Sequence, residues 1–257
     1  MFSILIAVFI ISYHSLPLTA FNQRKAWHSS GSTHQELIEN LYKNGLITDE
    51  RIKNAMLQVD RADFTNDKFD AYSDRPQSIG YAVTISAPHM HSFGLEILKD
   101  KLQPGAKVLD VGSGSGYLTA CMAHLVRPGG KAIGIEHIQG LVDKSIMNIN
   151  KHHKNLIDEN SLEIHKGDGR QGYISEAPYD AIHVGAAASG TPYELIRQLK
   201  VGGRLVAPVG NSFGQEMITY DKKADGTYYE QRHMAVMYVP LTDEKSQYVK
   251  SGGRKQI

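Results

Sequence analysis

The sequence predicts an α/β fold, a mostly parallel twisted sheet with helices on both faces and an antiparallel edge at its C-terminal end. Three observations carry this. From residue 107 onward short apolar runs alternate with helical segments, a glycine-rich turn follows the first run, and the last two strand-like runs are joined without a helix. Composition agrees. The chain has 257 residues, 41% of them hydrophobic, with 28 Lys+Arg against 27 Asp+Glu for a net charge of +1. That length buries a sizeable core, and the balance gives no sequence-wide attraction to nucleic acid or an anionic membrane. Cys121 is the one cysteine, so an intrachain disulfide and a multi-cysteine metal site are excluded.

Residues 1–25 stand apart from the rest. Their apolar run, residues 4–11, is less than half of the roughly 20 residues a membrane-spanning helix needs, so stable membrane insertion is not expected. Its length suits the hydrophobic region of a secretory signal, but no Lys or Arg precedes it. The chain therefore divides into an N-terminal apolar extension, 1–25, and a single domain, 26–257, with no low-complexity linker or internal repeat in the latter.

Within the domain, Leu37, Ile38 and Leu41 recur at helical spacing over residues 34–43, behind Ser32 and Thr33 as caps and ahead of Asn44–Gly45 as a stop. A second helix is read over residues 49–59 from Ile52, Met56 and Val59. Strands follow at 107–111, 131–136, 162–165, 179–184 and 204–208, with helices after Gly116, at 139–150 and at 192–199. Residues 215–221 and 233–241 form the antiparallel pair, turning through Ala224–Asp225–Gly226.

The chemistry begins at Asp110–Val111–Gly112–Ser113–Gly114–Ser115–Gly116, directly after the strand at 107–111. Glycines let a backbone approach a ligand, and Glu136, at the tip of the next strand, is placed to accept both hydroxyls of a ribose. A nucleoside-bearing cofactor is the natural reading. The dinucleotide fingerprint would need glycine at position 117, which is tyrosine, so nicotinamide chemistry is disfavoured. A G-x-G-x-G loop behind an aspartate suits S-adenosyl-L-methionine, whose ammonium Asp110 can help to hold. Asp168, in Gly167–Asp168–Gly169–Arg170, can accept a hydrogen bond from an adenine amino group at the same sheet edge. The segment Thr84–His91 is dense in polar groups. Its histidines, His89 and His91, lack metal-ligand spacing, and Ser86 lacks a nucleophile elbow, so a positioning hydroxyl is expected.

The runs TISAPHMH, LDVGSGSG, GIEH, GDGR, APYDAIHVGAAA and YVPLTD, in this order, resemble the protein-L-isoaspartate (D-aspartate) O-methyltransferases from about Ala26 to the C-terminal region. The resemblance implies a Rossmann-like, class I S-adenosylmethionine-dependent methyltransferase fold. It implies methylation of the free carboxyl of L-isoaspartyl and D-aspartyl residues in damaged proteins, followed by closure to a succinimide and partial return to normal aspartate. Ser86 matches the family's active-site serine; Val83, Thr84, Ile85 and His91 match positions lining the cofactor and isoaspartyl pocket. Ser115 belongs to the glycine loop, Glu136 and His137 to the ribose edge, Asp168 and Gly169 to the adenine edge, and Thr242 and Gln247 to the residues closing over the cofactor. A cytosolic monomer without metal is implied, with residues 1–25 offering the secretory route as the alternative. The rival reading is an S-adenosylmethionine-dependent methyltransferase of nucleic acid or a small molecule. Such enzymes often carry an Asn/Asp-Pro-Pro-Tyr/Phe motif where this chain has Gly185–Ala186–Ala187–Ala188.

Overall fold

The computed structural model describes residues 25–250, so the reading of residues 1–21 as a signal-like segment lies outside the described residues. The first helix, α1 (His34–Lys43), starts where Thr33 accepts the Glu36 N–H at 3.1 Å. Glu36 reaches back to the Ser32 N–H at 2.7 Å, a reciprocal cap. In α2 (Glu50–Gln58), Asp49 caps the helix by accepting from the Arg51 N–H at 2.7 Å. Both helices lie within a residue of expectation.

Three elements before the main sheet were not legible in the sequence. β1 (Gln77–Gly80) and β2 (Val83–Ile85) form a small antiparallel hairpin. Its turn residues Tyr81 and Ala82 both have left-handed φ, 53° and 56°, which the hairpin requires but neither residue type advertises. Next comes α3 (Pro88–Leu98), with proline in its first turn and no side-chain cap from Ala87.

The main sheet contains β3 (Lys107–Val111), β4 (Lys131–Glu136), β5 (Leu162–Lys166), β6 (Tyr179–Val184), β7 (Leu199–Asn211), β8 (Gly214–Lys222) and β9 (Tyr228–Val236). Their order is β5-β4-β3-β6-β7-β8-β9. The first five pair in parallel; β8 and β9 pair antiparallel, as the missing crossover helix implied. The connecting helices are α4 (Tyr117–Val126), α5 (Gln139–His152), α6 (Lys154–Asp158) and α7 (Tyr193–Arg197), and α8 (Glu244–Lys250) follows the sheet. Strand order reverses at β3, which opens a crevice at the carboxyl ends of β3 and β6.

Alternate residues of the parallel strands feed two cores. Val108 and Ala132 pack with α1 to α6, whereas Leu109, Val111, Ile133 and Ile135 pack with Leu195 and Ile196 of α7. Both faces carry helix, one far more than the other. Cys121, fully buried in α4, is a core residue whose thiol burial pushes up, so it is inert.

Two expected boundaries need correction. Residues 192–199 shorten to α7 because Leu199 already pairs with Tyr179 as the start of β7. The strand expected over 233–241 is β9, shifted back to Tyr228–Val236. Past Val236 the chain leaves the ladder. Gln215 takes both backbone groups of Tyr238, accepting its N–H at 2.7 Å and donating to its carbonyl at 3.0 Å, and Pro240 has no N–H to give.

His124 of α4 meets His153 with Nε2···Nδ1 3.3 Å, and His153 Nε2 is buried without a partner. Burial first, then His153 and Arg127, push His124 down to about 4. A histidine depressed in the folded state favours the unfolded chain once that chain takes up its proton. Stability should therefore be complete above about pH 6.5 and fall between about pH 6.5 and 4, by on the order of 2 kcal/mol after allowance for partial exposure. Denaturant melts across this range should show a smaller loss in His124→Gln, and an identical loss in both proteins rejects the assignment.

Candidate active site

At the end of β3 the chain turns through Gly112, Gly114 and Gly116, with φ of 73°, 53° and 85°. These are conformations that L side chains rarely adopt. Gly116 also heads α4, where a Cβ would lie 3.0 Å from the Ser145 Cβ and 3.2 Å from the Ile149 Cδ1. The loop is fixed from β4. Glu136 is buried, and its two oxygens accept the Gly114 N–H at 3.1 Å and the Ile138 N–H at 3.0 Å. Burial lifts the Glu136 carboxyl above its ordinary range, opposed by these hydrogen bonds and by His137. Ser115 is buried in the same loop, its carbonyl accepting from Asn148 Nδ2 at 3.2 Å.

Asp110 faces inward. It accepts from Thr119 Oγ1 at 2.6 Å and pairs with His183 Nδ1 at 2.9 Å, joining β3 to α4 and β6 beneath the glycine loop. Its carboxylate is spent on holding this junction rather than offered to solvent.

Two cavities open near the carboxyl ends of the parallel strands. The first, about 860 Å³, is lined by His137, Gly167 and Asp168 at the sheet edge and by Asp243, Glu244 and Tyr248 at the start and face of α8. Glu136 lies behind His137 and does not line it. Arg170 holds Asp168 through Nε and Nη2, at 2.9 and 2.6 Å, and this side-chain pairing keeps the carboxyl below its usual range. Gly169 packs so closely on β3 that a Cβ would fall 2.6 Å from the Val111 Cγ1. Gln247 latches α8 in place by donating to the Tyr81 carbonyl at 2.8 Å, which ties it to the strained hairpin turn; Thr242 is half-buried just before α8.

The second cavity, about 750 Å³, lies beyond β2, which runs from the α8 latch to Ser86. Thr84 and Ser86 line it with Trp27, His89, Met90 and the stretch from Met234 to Val239. Val83 is half-buried beside it, and Ile85 turns into the core. The Tyr238 hydroxyl lies beside Ser86, which opposes the rise that burial gives it above its usual range. Ala187 also grips this stretch, donating to the Val239 carbonyl and accepting the Leu241 N–H, both at 2.8 Å. His91 lies deeper, its ring 4.9 Å from that of Tyr117 and its Nδ1 3.5 Å from Arg61 Nη1. Burial, then Arg61, push His91 well down and keep it neutral. Arg61 is itself fully buried and pushed down to about 10, so it stays charged.

Sequence reasoning missed Trp27, Asp74, Tyr238 and Gln215, and it weighed His89 only as a metal ligand. Their hydrogen-bond partners lie at least 15 residues away along the chain, beyond the reach of a local motif.

A doubly covered sheet with a glycine loop at its switch point and two cavities near the carboxyl ends of its strands defines the class: an S-adenosylmethionine-dependent methyltransferase. Comparison narrows it. The family signature described as "Protein-L-isoaspartate(D-aspartate) O-methyltransferase (PCMT)" matches residues 32–246. Protein-L-isoaspartate O-methyltransferase 1 of Arabidopsis thaliana is 51% identical over 220 residues, 85% of this chain and 95% of that protein. The protein-L-isoaspartate O-methyltransferase of Caenorhabditis elegans is 48% identical over 223 residues, covering 87% and 98%. A Plasmodium falciparum protein-L-isoaspartate O-methyltransferase, solved with S-adenosyl-L-homocysteine, superposes with a TM-score of 0.77 at 36% identity, covering 83% of this chain and 100% of that one. The chain belongs to the protein-L-isoaspartate(D-aspartate) O-methyltransferase family.

Proposed function

We propose that this chain is a repair enzyme that methylates the free carboxyl of L-isoaspartyl and D-aspartyl residues in damaged proteins, using S-adenosyl-L-methionine. The observation that carries the reading is the placement of Ser86 and Tyr238 in a largely apolar cavity, with a second, nucleoside-sized cavity at the carboxyl ends of β4 and β5 against α8. The residues present fit the cofactor. Three glycines at left-handed φ leave a bare backbone crease, and the Glu136 oxygens keep lone pairs beyond those given to Gly114 and Ile138. When bound, S-adenosyl-L-methionine supplies an electrophilic methyl group on a sulfonium.

The protein's task is alignment. An isoaspartyl carboxyl titrates near pH 4, so it arrives ionised and needs no general base. Ser86, with Tyr238 behind it, donates a hydrogen bond that aims one carboxylate oxygen, and the apolar walls strip its water; orientation of this kind supplies several kcal/mol, roughly 7–11 in ideal cases. Val83, Thr84, Ile85 and His91 shape the floor between the two ligands. His137 faces the ribose with Glu136 behind it holding the loop, Asp168 and Gly169 form the adenine edge, and Gly112, Gly114, Ser115 and Gly116 the passage beneath. Thr242 and Gln247 close α8 over the nucleoside, and Asp110 positions the loop from below. The ester so formed closes to a succinimide without the enzyme.

The near-neutral charge supports a working form without nucleic acid, and the reading is of a cytosolic monomer. Among the described residues no helix is long and apolar enough to cross a membrane. The test is transfer of labelled methyl groups to a synthetic isoaspartyl peptide with the matched aspartyl peptide as control. Label on the first alone is expected; equal labelling of both, or of neither, overturns the reading.

A further inference from the structure

Among the side chains lining the Ser86 cavity, His89 is the one able to carry a positive charge; Thr84, Ser86 and Tyr238 offer hydroxyls, and the rest of the wall is apolar or glycine. A carboxylate entering such a cavity loses its hydration and needs charged or strongly donating partners in exchange. We propose that His89, oriented and charge-balanced by Asp74, is the residue that binds the substrate carboxylate opposite Ser86. This rests on the carboxyl methylation proposed above.

The geometry is a built site. Asp74 and His89 have side chains 0% and 3% exposed, and Asp74 Oδ1 lies 2.8 Å from His89 Nδ1. The same carboxylate accepts the His89 backbone N–H at 2.9 Å, which caps α3 from a distance, and the Trp27 N–H at 3.1 Å through its other oxygen. Trp27 is held there at a φ of 73°, a strained value for a bulky residue, with its ring edge-on to the His89 ring at 4.8 Å. The ring is thus fixed at Nδ1 by Asp74 and along one side by Trp27. His89 Nε2 has no hydrogen-bond partner among the described residues, and it is not one of the fully enclosed orphan atoms. A proton on Nε2 makes the ring a donor toward the cavity, with Asp74 offsetting its charge. The neighbouring ionisable groups are His91, and Arg61 beyond it.

The experiment uses the full chain saturated with S-adenosyl-L-homocysteine and titrated calorimetrically with an isoaspartyl peptide or its isoasparaginyl amide twin. Wild type should prefer the carboxylate by about tenfold or more, the worth of one charge-assisted hydrogen bond. His89→Gln should bring that preference to within about twofold, with S-adenosyl-L-homocysteine affinity unchanged. Retention of the preference, or parallel loss of the nucleoside, overturns the proposal. Should His89→Gln not fold, the histidine-labelled native protein decides by NMR: the His89 Nε2 resonance moves with the carboxylate peptide and not with its amide twin, and no movement rejects the role. A wild type that fails to methylate isoaspartyl peptides defeats the broader reading. A methylating wild type whose His89→Gln variant still discriminates defeats this one alone.

Discussion

Ser86→Ala should lower kcat on an isoaspartyl peptide by about 100-fold while S-adenosyl-L-homocysteine affinity stays within about twofold, the size of effect seen when a preorganised donor is removed from a reacting oxygen. The split follows from where Ser86 sits. It lines the second cavity and is absent from the walls of the first, so the nucleoside should not feel its loss. Alanine also removes the hydroxyl that lies beside the half-buried Tyr238. Tyr238→Phe is the milder version, because Ser86 keeps its own hydroxyl and loses only the group that orients it; about a tenfold drop in kcat is expected. Steady-state kinetics with calorimetry on each variant makes the check. Unchanged kcat in Ser86→Ala would sink the positioning role, and a fall in nucleoside affinity equal to the fall in kcat would show that the loop, not the serine, had been disturbed.

The parts of this fold that were legible in the sequence are those whose cause is local. β3, β4 and β6 are buried on both faces and read as short, mainly apolar runs, and α1 and α2 announce themselves through Thr33 and Asp49. What was not legible has its cause elsewhere in the chain. The N-terminus of α3 is capped by Asp74, 15 residues before His89. The end of β9 is set by Gln215, whose amide substitutes for a neighbouring strand at Tyr238, 23 residues on. The β1–β2 turn was hidden because Tyr81 and Ala82 hold left-handed φ without glycine, under the pull of Gln247 from 166 residues away.

The site divides the same way. The spacing of the glycine loop and Glu136 implies a nucleoside-bearing cofactor, whereas the active-site role of Ser86 is implied by the family resemblance. Asp110 was legible as a functional acid but not in its direction, because only the fold brings Thr119 and His183 to its two oxygens. A local motif can therefore identify a residue type that a site needs without saying whether it faces ligand or framework.

Glu136 tests that distinction, since it lies behind His137 and holds the glycine loop from the framework side. Glu136→Ala should weaken S-adenosyl-L-homocysteine binding by about 100-fold. The Gly114 and Ile138 N–H groups lose their acceptor in a buried setting, at about 1–3 kcal/mol each, and part of that cost is relieved only by opening the glycine loop the nucleoside needs closed. About 3 kcal/mol in total corresponds to a hundredfold change in affinity. Glu136→Gln keeps one acceptor oxygen and should fall between. The pH dependence has a definite sign. Burial raises the Glu136 carboxyl, so on acidification it takes up a proton earlier than an ordinary glutamate and ceases to accept from both N–H groups at full strength. Nucleoside affinity should thus decline as pH falls, beginning above the ordinary glutamate range near 4.3, and that decline should vanish in Glu136→Gln. A decline of equal size in the glutamine variant would place the titrating group elsewhere.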